Sequence, residues 1–406
     1  MRIQCEHCFG VNAVDDNDLG EFLVCGHCED AFQVPDERFA PGVVIDDYII
    51  EKKLGQGGMG VVFRALQISL DRHVALKILT LDNQTEESVI DFVREARASA
   101  GLHHQHIVQA YAVGQSEGGI YYLAMELVNG QTLKEILDEQ QKLPLDTALN
   151  ITKQVSDALA YAWNQSQLVH RDIKPDNIMV VNNLAKLMDL GLSRFANDSL
   201  ESTDDEDSIM GTPQYISPEQ LIGGDMDFRG DMYSLGATLY HFITGEFPFS
   251  GTSVTEIARK HLQEPLTPPS HYDASIPKSV CKLLEKMMAK QPEDRFQSME
   301  ALSKEIEKIR RANNTSTTST GKHTGIHIRT KGRRKMASEG GRTAHRPVTA
   351  EASARTGRSR RISSRNIALD SEALQAYVDT SSHGKLKVGA IAAFIITLVV
   401  AVVVKL

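Results

Sequence analysis

Six strongly polar side chains, His170, Arg171, Asp172, Lys174, Asp176 and Asn177, fall within eight positions, between apolar runs that begin at Leu168 and Ile178. Burying such groups without partners costs roughly 2–7 kcal/mol each. The cluster therefore belongs on a loop that reaches solvent and is held by strands. The rest of the chain has to build the scaffold that presents it.

Upstream, G-Q-G-G-M-G-V-V, Gly55 to Val62, separates two strand-like runs, Tyr48 to Leu54 and Val61 to Leu66, and a third strand is expected over Val74 to Leu79. Glycines without a Cβ let backbone N–H groups approach a phosphate chain; read alone, the loop is equally a bare glycine hairpin. Lys77, in V-A-L-K, stands on the third strand, where an ammonium could meet phosphates or face solvent at a sheet edge. A helix is expected over Thr85 to Ala100, with Val89, Phe92, Val93 and Ala96 at helical spacing. Glu95 on it could pair with Lys77. Further helices are expected over Leu145 to Gln165 and Met232 to Ile243, the latter apolar nearly all round and so central. Strand-like and helix-like patterns thus alternate from about 48 to 311, an α+β domain.

In order and spacing these residues resemble the eukaryotic-like (Hanks-type) Ser/Thr protein kinases of bacteria, over about Tyr48 to Arg311. The resemblance implies a bilobal fold, with a β-rich N-lobe and a helical C-lobe, and phosphoryl transfer from ATP with Mg²⁺, or Mn²⁺ in its place, to Ser/Thr hydroxyls of proteins, autophosphorylation included. It implies an ATP site formed by Leu54, Gly55, Gln56, Gly57, Gly58, Met59, Gly60, Val61, Val62, Ala75, Lys77, Glu95, Met179, the gatekeeper Met125, and Glu126 to Val128. H-R-D-x-x-x-x-N matches at His170, Arg171, Asp172 and Asn177. Asp172 would be the base, Lys174 would contact the moving phosphoryl group, Asn177 and Asp189 (in D-L-G) would hold Mg²⁺, and Thr212 in G-T-P-Q-Y would touch the catalytic loop. Asp231 would brace that loop, and Glu219 with Arg295 would form a structural ion pair. Leu190 replaces the usual Phe after Asp189, and S-P-E at Ser217 to Glu219 replaces A-P-E. The acidic run Asp198 to Ser208 reads as a solvated loop, a phosphorylation site or a stand-in for phosphate.

Cys5-x-x-Cys8 and Cys25-x-x-Cys28, 16 residues apart, have the spacing of a four-thiolate Zn²⁺ site, so residues 1–40 read as a small zinc ribbon. Its acidic balance argues against nucleic acid as partner and for a protein-interaction or regulatory role. The fifth cysteine, Cys281, lies on a helical apolar stripe and reads as packed core.

Beyond the domain, residues 312–387 carry 15 Lys/Arg against 5 Asp/Glu, a local charge of +10 in a chain of net charge −9, and lack hydrophobic period. They read as a disordered basic linker, with Ser363 and Ser364 as candidate phosphorylation sites after R-R-I. Val388 to Val404 is a 17-residue apolar run flanked by lysines. As a helix it spans roughly 25 Å, the short end of a membrane crossing. The expected arrangement is a C-terminal single-pass anchor with ribbon and kinase domain cytoplasmic and the linker beside an anionic leaflet; dimerisation stays open.

Overall fold

Runs of β-branched and aromatic residues build the first half of the structure, because such side chains cover a pleated surface well. The computed structural model describes residues 1–57, 60–79, 89–90, 92–93, 96, 99–189, 213–223 and 226–317. Gly58, Met59, Glu95, Leu190, the acidic run 198–208, Thr212, the basic linker from 318 on and the apolar run 388–404 lie outside these residues, whereas 312–317, expected to open the disordered linker, instead continue the last helix, Met299–Thr317. The described residues form one compact unit.

In chain order the strands are β1 (Arg2–Gln4), β2 (Val11–Ala13), β3 (Phe22–Val24), β4 (Ala31–Gln33), β5 (Val44–Ile45), β6 (Tyr48–Gly57), β7 (Gly60–Gln67), β8 (Arg72–Leu79), β9 (Ala110–Gln115), β10 (Tyr121–Glu126), β11 (Gln131–Thr132), β12 (Ile178–Val181) and β13 (Leu184–Leu187). Strands β5 to β10 form one antiparallel sheet in the order β5-β6-β7-β8-β10-β9. One set of its side chains, including Tyr48, Ile50, Val61, Phe63, Leu76 and Ile78, makes one core; Leu79, Ala110 and Leu123 make another with Phe92 and Ala96 from the helical segment within 89–100.

β6 runs three residues past Leu54, to Gly57, and β7 starts at Gly60. The register Gly55↔Val62, Gln56↔Val61, Gly57↔Gly60 carries the hairpin into the glycine loop. Backbone pairing needs no apolar side chain, so the hydrophobic pattern stops earlier than the strand does.

The second half is helical. The helix Leu145–Ser166 buries Leu149, Ile151, Val155, Ala158, Leu159 and Ala162 along one stripe and leaves its charged face outside. Beside it the helix Phe228–Thr244 buries 13 of its residues, so it forms the centre of the lobe. Asp227 caps its start by accepting from the Arg229 N–H (2.8 Å), and Gly245 ends it at φ 77°. The helices Lys278–Met287 and Met299–Thr317 complete this core. The molecule therefore has the two lobes expected, β-rich and then helical. The small sheet β11-β12-β13 carries the catalytic-loop region between them.

The cysteine-paired N-terminus is two hairpins, β1–β2 and β3–β4, around a core of Ile3, Cys5, Val14, Cys25, Phe32 and Val34. It is packed onto the N-lobe sheet. Ile3 bridges Val43, the Gln4 N–H donates to the Gly42 carbonyl (2.9 Å), and Phe39 meets Phe63 with ring centres 6.3 Å apart. Among the described residues no helix is long and apolar enough to cross a membrane.

Candidate active site

The catalytic loop hangs from one buried carboxylate on the central helix. Asp231 accepts the backbone N–H of His170 at Oδ2 and that of Arg171 at Oδ1, each at 2.7 Å. Burial pushes its carboxyl up, while His170 and Arg171 oppose that shift through charge and through these amides. Arg171 takes φ 67°, a left-handed conformation that costs a non-glycine residue on the order of 1–3 kcal/mol. The two amide bonds offset it, together with a third from Gln220 Nε2 to the Arg171 carbonyl (2.6 Å). His170, fully buried, places Nε2 2.8 Å from the Met188 carbonyl, tying the loop to the strand end before Asp189.

With the loop so held, its polar groups converge. Asn177 Nδ2 donates to both the Asp172 carbonyl and Asp172 Oδ2 at 2.8 Å, and Lys174 Nζ lies 2.9 Å from the same Oδ2. Spending its N–H₂ on Asp172 leaves the Asn177 side-chain oxygen for a cation. The Met188 N–H donates to the Asn177 carbonyl (2.9 Å), so Asp189, the next residue, arrives beside that loop. Asp189, at φ 51°, accepts from Lys77 Nζ at Oδ1 (3.3 Å). Lys77 itself is only 6% exposed on β8, opposite Val62 in β7. These are hard oxygen donors of the kind Mg²⁺ prefers.

The sheet register sets Ala75 opposite Met125 and places Met179 on β12 beside Thr132. Met125 packs on the Leu79–Phe92–Leu123 cluster behind the strand. Glu126 is held by Lys186 Nζ at 2.8 Å, while Leu54 is nearly half exposed and Val128 half-buried.

The glycines divide by what surrounds them. A Cβ on Gly60 would fall 2.0 Å from the Ile78 carbonyl oxygen, so strand packing alone demands glycine there. Around Gly55 and Gly57 a Cβ would find open space. Those two are free of any packing reason among the described residues, as expected where a ligand approaches backbone.

At the other end of the chain the four cysteines converge. Cys5 and Cys28 sulfurs are 3.8 Å apart, those of Cys8 and Cys25 3.7 Å, and all four lie within 4.8 Å of one another. Four sulfurs about 2.3 Å from one tetrahedral ion are about 3.8 Å apart, whereas a disulfide needs about 2.05 Å. The thiols are free, and the donor set fits a closed four-sulfur metal site. The Gly10 and His27 N–H groups donate to the Cys8 and Cys25 sulfurs, each at 3.4 Å, and Asn12 Nδ2 to Cys25 (3.4 Å). Burial raises the Cys25 thiol, but the Cys28 and His27 amides and Asn12 outweigh it and bring it to about 6. Cys281 is half-buried against the C-lobe core.

Sequence reasoning missed Gln220 and the docking of the N-terminal segment. Gln220 had a local signal: S-P-E-Q is a capping box, in which Gln220 Oε1 accepts from the Ser217 N–H (3.0 Å) while its Nε2 is free to reach Arg171.

Comparison with known proteins agrees with this geometry. The family model described as "Protein kinase domain" matches residues 48–306. The chain is 40% identical over 263 residues to serine/threonine-protein kinase PrkC of Bacillus subtilis, covering 64% of this chain and 40% of that protein. It is 39% identical over 263 residues to serine/threonine-protein kinase PknB of Mycobacterium leprae, covering 64% and 42%. It thus spans less than half the length of these two relatives. Among solved structures, the kinase domain of PknI from Mycobacterium tuberculosis superposes with a TM-score of 0.54 at 26% identity, covering 67% of this chain and 99% of that one. On the length of the family match and the convergence of its motifs in space, the chain belongs to the protein kinase domain family.

Proposed function

We propose that this chain transfers the terminal phosphoryl group of ATP to Ser/Thr hydroxyls of proteins, itself included, as a membrane-tethered signalling kinase. One observation carries the reading: Asp172 is held against Lys174 and Asn177 while Asp189, tied to the same loop, meets Lys77. Phosphoryl transfer asks for positioning and charge neutralisation rather than covalent help, and this is a set of cations, oxygen ligands and one base. Asp172 Oδ2 takes the proton of the substrate hydroxyl as its oxygen bonds to phosphorus and the bond to the departing ADP oxygen breaks. Lys174 sits close enough to Asp172 to offset charge gathering on the moving group. Lys77 orients the phosphate chain. Mg²⁺, when bound by Asn177 and Asp189, supplies neutralisation of the phosphate charge.

Ser/Thr rather than Tyr specificity follows Lys174 in D-I-K-P and the Ser/Thr kinase names of the relatives. The four cysteines hold a structural Zn²⁺, supported by the sulfur spacing. The apolar run 388–404 is the tether, supported by its length and flanking lysines.

The full chain incubated with labelled ATP and Mg²⁺ should incorporate phosphate into itself and a Ser/Thr protein substrate, and Asp172→Asn should not. Equal incorporation by both removes the catalytic assignment. Zinc should be found at one per chain and lost in Cys8→Ser. Partition into vesicles should vanish when the chain is stopped after Lys387; equal partition removes the tether.

A further inference from the structure

The first N-terminal hairpin is tied to the margin of the N-lobe sheet by backbone, through one bridge and one hydrogen bond from β1. Gly42 and Val43 are gripped from both sides. The Gln4 N–H and the Ile3 bridge hold them to β1, while Gly42 N–H donates to the Ile50 carbonyl (2.8 Å) and Ile50 N–H to the Val43 carbonyl (2.9 Å). Gln4 directly precedes Cys5, and Ile50 lies on β6, the strand that runs on into the glycine loop. Met1 packs on both the cysteine-segment core and the N-lobe core.

That first core has six buried residues, two of them cysteines of the sulfur cluster. A core this small cannot hold two short hairpins by apolar burial, so bound metal would supply most of the folding energy. The path from sulfur to glycine loop is then short and made of backbone: Cys5, β1, Gly42–Val43, β6, Gly55–Gly57.

We propose that metal occupancy of the four-cysteine cluster sets the nucleotide affinity of the kinase domain, the loaded hairpins acting as an added margin of the sheet that fixes β6 and its glycine loop. This rests on the reading of the cluster as a metal site.

The test uses the full chain with one equivalent of Zn²⁺ or stripped by chelator, reading metal content, amide hydrogen exchange and the dissociation constant of Mg²⁺-ADP. Stripping should speed exchange over residues 42–57, leave the helix Phe228–Thr244 protected, and weaken ADP about tenfold, within the usual range for coupled sites. Phe39→Ala, which removes the contact with Phe63 but no sulfur, should keep one zinc per chain yet bind ADP more weakly than the parent. A chain that takes up no zinc overturns the metal reading and the coupling with it. Zinc bound at one per chain, with exchange and ADP affinity unmoved by stripping, overturns the coupling alone, as does loss of protection throughout the helical lobe.

Discussion

Asn177 donates a single side-chain amide nitrogen to both the backbone carbonyl and the carboxylate of Asp172, at 2.8 Å each, so the candidate base and the candidate metal ligand are positioned by one another. In Asp172→Asn the shape survives and the proton acceptor does not. Transfer should fall by about 10²–10⁴-fold, the usual contribution of a positioned base, with an unchanged circular dichroism spectrum. Steady-state phosphorylation of a protein substrate checks it.

Asp231→Asn should do its damage through the loop. One of the two backbone N–H groups it accepts would face an NH₂ group instead, which leaves a buried donor unpaired at a cost of about 1–3 kcal/mol. Arg171 would lose part of what holds its left-handed backbone. A lower melting temperature together with lower kcat is expected; a loss of kcat without one would contradict the bracing role.

Arg295 is 2% exposed and spends its donors on Glu219 (2.6 and 2.9 Å) and on the carbonyls of Arg229, Ala289 and Lys290. Arg295→Met strands a buried carboxylate and should cost about 3–5 kcal/mol. Adding Glu219→Leu should restore part of that, since a paired apolar replacement leaves no lone charge. Denaturant melts of both variants decide it.

Burial lowers His241 to about 4 and His261 to about 3 from an ordinary value near 6.5, with Lys134 and Lys290 respectively adding to the shift. In the unfolded chain both imidazoles take up a proton as pH drops below about 6.5, while in the folded chain they stay neutral until about 4 and 3. Their contribution to stability is therefore whole above about pH 6.5 and declines as pH falls from there toward about 4 for His241 and about 3 for His261. Urea midpoints at pH 7.5 and 5 should differ in that direction, and His261→Gln should narrow the gap.

Much of the site was legible in the sequence because phosphate chemistry demands particular side chains at particular spacings. Lys77, Asp172, Lys174, Asn177 and Asp189 are named through the order and spacing that resemble protein kinases, and the structure brings them together; the strands beneath them are named from alternating apolar runs. The docking of residues 1–40 had no such signal. It is made by the backbone of Gln4, Gly42 and Ile50, and main-chain pairing leaves no trace in side-chain periodicity. The glycines show the same limit from the other side: G-Q-G-G-M-G does not distinguish Gly60, required by the Ile78 carbonyl, from Gly55 and Gly57, which are not.

The bridge from Ile3 to Val43 also bears on how the protein behaves in a crowded solution. An open sheet has two margins of unpaired amides and carbonyls, each an invitation to strand addition by another molecule. Here β1 covers the margin where the chain enters β5, at Gly42 and Val43, and leaves β9, with Tyr111 under the Arg72 guanidinium at 3.9 Å, as the opposite border. Removing the first forty residues would bare that stretch, so a truncated chain gives up the four-cysteine cluster for a tendency to self-associate.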